Sequence, residues 1–386
     1  MGGSLRIRGL SYEGGIREIS ERAVRLEQEG RDIVHFEIGQ PDSDSPEAAK
    51  NAAISALREG KVAYTPRAGL PELRVSLANM LKARGIDATF HDIVVTCGAV
   101  EALMTVFLAV LDPGDEVIVP TPAFPAYFDQ VRLCSAVPVS VPSFGDPEID
   151  VIESAITDRT RIIVINSPCN PTGHVLSSTF NAALLELAAR RDLFVVSDEC
   201  YSDFLYEGHF ESPRSLPGSS DRVFVVGSLS KPLSMTGWRI GYVLGPSAFT
   251  PFVTKAHQML TTCACSFAQA GAVTGLSILT ETTTATISEY RERRRIVLDA
   301  LSACEDLAVI PPSGAFYAFP DVSAIGLSAT EFCTELLQEE GVALVPGDAF
   351  GAPGHVRIAY TTRKERVSEG MARFVRGWKR LAAARN

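Results

Sequence analysis

Arg161-Ile162-Ile163-Val164-Ile165-Asn166-Ser167-Pro168-Cys169-Asn170-Pro171-Thr172-Gly173 joins an unbroken β-branched run to a turn rich in Asn and Pro. Four successive Ile and Val side chains leave no solvent-facing side, so the run predicts a strand buried on both faces. A helical pattern, Ser178 to Arg191, follows the turn. The same sequence of strand, turn and helix recurs outward in both directions. Asp92 to Thr96 precedes the helical stretch Ala99 to Val110, and Glu116 to Val119 follows the turn Asp112-Pro113-Gly114-Asp115. Leu193 to Ser197, Val223 to Val226 and Ile240 to Leu244 complete the set. Apolar strands alternating with helices predict a parallel-rich sheet covered on both sides.

The ends have a different texture. Ile16 to Glu29 is an amphipathic helix ahead of a strand from Ile33 to Ile38. After about Glu281 come a long charged helix, short strands at Phe316 to Phe319, Ala343 to Val345 and Val356 to Ile358, and helices at Ala329 to Glu340 and Lys364 to Leu381. These fit a smaller α+β lobe built from both termini. The basic run Arg293 to Arg295 reads as a solvated helix face, with Glu292 and Asp299 in helical reach.

Composition narrows the class. In 386 residues, 46% hydrophobic and 21% charged suffices for a sizeable core and excludes a disordered chain. The net charge of −10 permits a local anion site but disfavours a broad nucleic-acid surface. The apolar stretch Ala102 to Leu111 is far short of the roughly 20 residues a membrane span needs. Met1 to Arg6 contains no apolar signal core, and the eight cysteines form no C-x-x-C pair. A cytoplasmic chain with reduced thiols and no zinc-type ligand spacing is expected.

Four segments stand just beyond strand C-termini, where α/β sheets build sites. Thr96-Cys97-Gly98-Ala99-Val100 offers free amides at a helix start, which suit a phosphate, although Gly there is often only a turn. Asn166 to Gly173 is a rigid loop whose Asn170 either points an amide into a cleft or caps its own backbone. Asp198, in Ser197-Asp198-Glu199-Cys200-Tyr201, is costly at a strand mouth unless something positive pairs with it; a helix N-cap is the alternative. Lys231, in Gly227-Ser228-Leu229-Ser230-Lys231, is set among hydroxyls and small residues, and Arg239 follows eight positions on. The required G-x-x-x-x-G-K-[ST] pattern of a P-loop is missing.

Taken together and in order, these pieces resemble the class I/II aminotransferase family, the fold-type I enzymes that use pyridoxal 5'-phosphate. The matching elements are Tyr64-Thr65-Pro66-Arg67-Ala68-Gly69, Gly98-Ala99, Asn170-Pro171-Thr172-Gly173, Asp198-x-x-Tyr201, Ser228-x-Ser230-Lys231 through Gly237-Trp238-Arg239-Ile240-Gly241, and Val356-Arg357-Ile358. The resemblance implies a large domain over 41–284 with a mostly parallel seven-stranded sheet, and a small α+β domain from 1–40 and 285–386.

The resemblance also implies roles. Lys231 would form the Schiff base with the cofactor and shuttle the proton at the substrate α-carbon. Asp198 would hold the pyridine nitrogen protonated. Tyr201 and Asn170 would bond the phenolic oxygen, and Phe124 would stack on the ring, where relatives often carry Tyr or Trp. The amides near Gly98, Ala99 and Val100, the hydroxyls of Ser228 and Ser230, and Arg239 would take the phosphate, with Tyr64 reaching it from a neighbouring subunit of a homodimer. Arg357 would clamp the substrate α-carboxylate, assisted by Asn170 and the Gly39 backbone; a strand-edge surface charge is the alternative for Arg357. Arg67, where many relatives carry a small or uncharged residue, would face the neighbouring site and receive an anionic side chain, or else is a solvent-facing loop arginine. Cys97, Cys169, Cys263 and Cys265 read as small buried residues without a nucleophilic role.

The activity implied is transfer of an amino group between an α-amino acid and an α-keto acid. A lyase, cyclase or replacement enzyme of the aminocyclopropane-carboxylate-synthase kind would need the same cofactor residues. A regulatory, inactive relative is the third reading, and the intact Lys231, Asp198 and Arg239 argue against it.

Overall fold

A computed structural model describes residues 16–385. The opening segment Met1 to Arg6, read above for targeting, lies outside them. Twelve strands fall into three sheets: β1 (Val34–His35), β2 (Ile93–Thr96), β3 (Glu116–Thr121), β4 (Val137–Pro142), β5 (Thr160–Asn166), β6 (Phe194–Asp198), β7 (Val223–Ser228), β8 (Gly241–Leu244), β9 (Tyr317–Ala318), β10 (Val342–Ala343), β11 (Val345–Pro346) and β12 (Val356–Ala359). The central sheet has seven strands in the order β2-β8-β7-β6-β5-β3-β4. Only β8 runs against the rest, pairing antiparallel with both β2 and β7.

Period-two side chains feed two different cores, which is why these strands carry no polar face. In β5, Ile162 and Val164 join the cluster containing Val106 and Phe107, from the helix Ala99–Val110. Ile163 and Ile165 point the other way, to Leu184 and Leu187 of the helix Ser178–Arg190. The seventh strand, β4, escaped the sequence reading because Pro138 and Pro142 break its pattern; it is an edge strand paired only with β3, where missing amides are tolerated.

Chain ends pack together. Ile19, Val34 and Phe36 share one buried cluster with Phe332, Val356, Phe374 and Trp378, and that cluster continues to Tyr201 and Phe204 beside the central sheet. The expected strand from Ile33 to Ile38 shrinks to β1, paired with β10. Phe36 O still accepts from the Ala359 amide, and beyond it the carbonyls turn to side chains: Glu37 O accepts from Arg357, Ile38 O from Thr361 and Gly39 O from Lys231. The single strand expected over Ala343 to Val345 splits into β10 and β11, which serve different sheets. The helix from Ala329 stops at Glu335 and widens into a π-helical turn over Leu336–Glu340. The basic run also departs from expectation. Arg295 is solvated, but Arg293 is buried.

Candidate active site

Topology gathers the site. Strands β5, β6 and β7 are adjacent and parallel, so Asn166, Asp198 and Ser228 end at one edge of the sheet. Two antiparallel steps, β7 to β8 and β8 to β2, return β2 to that direction, bringing Thr96 and the following Gly98 turn to the same edge. Gly241, the first residue of β8, faces both Thr96 and Ser228, which delivers Arg239 there as well. The result is a cavity of about 360 Å³, the lining of which includes Lys231, Asp198, Asn170, Tyr201, Arg239 and Arg357. Ala99, Val100, Phe124, Ser228, Ser230 and Gly39 also line it, as does Tyr127.

The amine of Lys231 sits inside this cavity and donates to Gly39 O at 2.6 Å. Burial disfavours its charged form and, with Arg357 and Arg239 adding repulsion, brings its pKa down to about 8. Asp198 is 6% exposed. Its Oδ2 accepts from the Tyr127 hydroxyl at 2.7 Å and its Oδ1 from the Cys200 amide at 3.1 Å. No cation among the described residues forms an ion pair with it, and burial pushes its pKa up. Asp198 therefore is no helix cap; it is a buried carboxylate set to receive a positive or proton-bearing group from the cavity.

Arg357 presents the opposite charge. It is 2% exposed, with Nη1 donating to Asn170 Oδ1 at 3.0 Å and Nη2 to Glu37 O at 2.6 Å. Its guanidinium lies 4.8 Å from the Tyr317 ring and 5.0 Å from that of Phe350. Its Nε has no partner, and no carboxylate among the described residues forms an ion pair with it. A surface strand-edge charge is thereby excluded. A buried, neutrally braced guanidinium on a cavity wall is a receptor for a carboxylate.

The turn before helix Ala99–Val110 has Gly98 at φ +85°, and a Cβ there would stand 2.3 Å from Arg239 Nη2. Arg239 is held by Thr236 O at 2.9 Å and Cys97 O at 3.2 Å. Free amides and this guanidinium together form an anion cup. Ser228 and Ser230 are buried beside it. Tyr64 and Arg67 do not join the cavity of their own chain: Tyr64 is 85% exposed and Arg67 is exposed as well. Their loop is nonetheless fixed, because the buried Gln269 bonds Thr65 Oγ1 and the Leu70 amide.

Sequence reasoning passed over two residues. Tyr127 stands one helical turn beyond Phe124, and the two rings meet edge to face at 5.7 Å, a spacing that could have marked it. Tyr317, hidden in an apolar strand, shares a 2.8 Å hydroxyl contact with Tyr201. A phenol in a buried strand needs a partner, and that was the available signal. All eight cysteines are free; Cys97, Cys169, Cys263 and Cys265, read as buried, are only partly so.

The sheet order, with a buried lysine and a strand-end carboxylate lining one cavity, defines a fold-type I enzyme. A sequence model for aminotransferase class I and II matches residues 31–374. The chain belongs to that family and is an aminotransferase. It is 39% identical over 373 residues to a probable aspartate/prephenate aminotransferase of Aquifex aeolicus, covering 92% of this chain and 93% of that one. The Thermus thermophilus aspartate aminotransferase with maleate superposes with a TM-score of 0.92 at 37% identity, over 98% of this chain and 100% of that one. An aromatic aminotransferase from Pyrococcus horikoshii gives 0.88 at 37% identity, over 94% and 99%. No described helix is long and apolar enough to cross a membrane.

Proposed function

We propose that the chain binds pyridoxal phosphate in this cavity and moves an amino group between an α-amino acid and an α-keto acid in two half-reactions. The observation that carries the reading is the opposition, in one cavity, of a lysine amine lowered to about pH 8 and a buried guanidinium without a carboxylate partner. The residues fit the cofactor: among the described residues Asp198 has no cation and Arg239 no carboxylate in an ion pair with it, the Gly98 turn opens a helix start, and Phe124 lines the cavity. When bound, pyridoxal phosphate supplies an aldehyde for the substrate amine and a ring that draws electrons from the α-carbon.

The protein's part follows from its own groups. Arg357 takes the α-carboxylate, and its bonds to Asn170 Oδ1 and Glu37 O hold the guanidinium in place. Lys231 Nζ, whose neutral form dominates above about pH 8, moves the proton to and from the substrate α-carbon. Asp198 holds the proton on the ring nitrogen, and the Tyr127 hydroxyl orients its Oδ2. Tyr201, linked to Tyr317, is the donor toward the ring oxygen. Ser228, Ser230, Arg239 and the turn amides hold the phosphate.

Tyr64 and Arg67 enter the scheme only from a second copy, so we read the working unit as a homodimer in which each site borrows that loop. Its Arg67 would meet an acidic side chain or distal acid of the substrate, in keeping with the aspartate and prephenate named for relatives. We divide the described part of each subunit into a large unit over 41–284 and a small one from 16–40 and 285–385. A reducing, cytoplasmic setting suits eight free thiols.

The test is stoichiometric. Incubated with an amino-acid panel and no keto acid, the yellow protein should consume one equivalent of its substrate per site and then stop. Addition of a keto acid should restart it. Continued turnover without keto acid would assign the site to elimination or cyclisation instead. An Arg67→Ala variant with unchanged kcat/KM for every substrate would remove the role given to that residue.

A further inference from the structure

We propose that Arg293 is a positioning residue for substrate binding: through Asp42 it fixes the Ile38–Gly39–Gln40 wall of the cavity against the strand that carries Arg357. The proposal rests on the aminotransferase reading and adds the device that sets the carboxylate subsite.

Arg293 lies on the helix Leu279–Leu301 amid charged neighbours, yet it is 5% exposed. Its Nη1 donates to Asp42 Oδ1 at 2.9 Å and to Thr361 O at 2.7 Å. Its Nη2 donates to Asp42 Oδ2 at 3.1 Å and to Glu289 Oε2 at 3.1 Å. The fork is therefore bidentate on Asp42 while one arm also grips a backbone carbonyl, a geometry that a lysine cannot copy. Glu289 is 72% exposed, so its share is weak, and the Asp42 pair dominates.

The two gripped points flank the site. Asp42 follows the cavity-lining Gln40 by two residues, and Thr361 follows Arg357 by four. Thr361 closes the loop by donating its hydroxyl to Ile38 O at 2.9 Å. On its other side the same segment is tied to the lysine loop: the Ser43 hydroxyl meets that of Ser234 at 2.7 Å, and Ser45 donates to Ser234 O at 2.8 Å. The wall is thus held toward Lys231 by serines and toward Arg357 by the Arg293–Asp42 pair together with the bonds to Ile38 O and Glu37 O. Releasing the charge pair leaves the lysine side intact and the Arg357 side on two single hydrogen bonds, which loosens it. Binding of a carboxylate should suffer in both half-reactions while proton movement at Lys231 persists.

The experiment uses the full-length holoenzyme with Asp42→Asn, Arg293→Lys, Arg293→Met and the double variant Asp42→Asn/Arg293→Met. Single-turnover half-reactions, with whichever L-amino acid wild type uses best and with 2-oxoglutarate, yield an apparent dissociation constant and a limiting rate. Each single variant should weaken both affinities about tenfold with the limiting rate held within about threefold, Arg293→Lys being the mildest, and the double variant should add nothing further. Hydrogen–deuterium exchange should accelerate in residues 36–45 and 356–362 together. Asp42→Asn keeps shape and one acceptor at a side chain 27% exposed, so it remains informative if the Arg293 variants fold poorly. Unchanged affinity with a lowered Tm, multiplicative effects in the double variant, or exchange confined to residues 288–295 would each overturn the proposal. Should no amino acid react even with wild type, the aminotransferase reading fails, and exchange alone decides the positioning role.

Discussion

At the scale of single residues, two ordinary residues are made unusual by their surroundings. Lys231 is depressed from 10.5 to about 8 chiefly by burial, so its neutral form dominates above that value. The sign for stability follows: between about 8 and 10.5 the unfolded chain binds more protons, and stability contributed at this site rises with pH. For capture of the aldehyde by cofactor-free protein, the stopped-flow rate should climb to about pH 8 and then level, where a solvated lysine would keep climbing toward 10.5. Lys231→Ala should abolish capture and lower kcat by about 10⁴-fold or more. Gly98 acts by omission. Gly98→Ala adds a Cβ 2.3 Å from Arg239 Nη2 at a backbone φ of +85°. Arg239 would have to leave the cup, and cofactor affinity, read by equilibrium dialysis, should fall about tenfold or more.

At the scale of elements, what could be read from the chain depends on where each signal is stored. Strands buried on both faces announce themselves, as Ile162 to Ile165 do, because each side chain must be apolar. Edge strand β4 does not, since its prolines need only avoid the one ladder it joins. Lys231 and Asp198 stood out because charge beyond an apolar strand demands a partner, whereas Arg357 was read from the family resemblance alone. Arg293 misled for the opposite reason: its partner Asp42 is 251 residues away, and local spacing offered Glu292 and Asp299 instead. The junction of the helix Ile16–Gln28 with β1 holds a similar hidden pair, in which His35 bridges Glu37 at 2.8 Å and Glu27 at 3.0 Å. The Glu37 bond, then Glu27, lifts the imidazole from 6.5 to about 9 against the opposing effect of burial. A raised pKa contributes stability that is complete below about 6.5 and disappears as pH rises through about 9. His35→Gln should therefore lower Tm by about 2 °C at pH 6 and by nearly nothing at pH 10, followed by circular dichroism.

At the scale of the whole molecule, one chain lines the cavity with Lys231, Asp198 and Arg357 while Tyr64 and Arg67 stand on its exterior. Tyr64 has a large ring 85% exposed on a loop that Gln269 holds rigid, an expensive arrangement for a group meant only for water. Val62, on the same loop, is 63% exposed, and Phe252 and Met259 of the helix Thr250–Thr261 are 62% and 63% exposed. These are apolar surfaces that a second copy would cover. A shared site makes a sharp prediction by complementation. A Lys231→Ala chain retains an intact loop but no amine; a Tyr64→Ala/Arg67→Ala chain retains the amine but no loop. If each site draws its loop from the other subunit, a heterodimer of the two contains one complete site and one doubly defective site. After subunit exchange of equal amounts, half the dimers are mixed and half their sites are whole, so activity should recover to about one quarter of wild type. A loop that served its own chain would give no such gain, since neither parent ever holds Tyr64, Arg67 and Lys231 together. Mixing the parents under conditions that block exchange should leave the activity at their simple average, which ties any recovery to the interface itself.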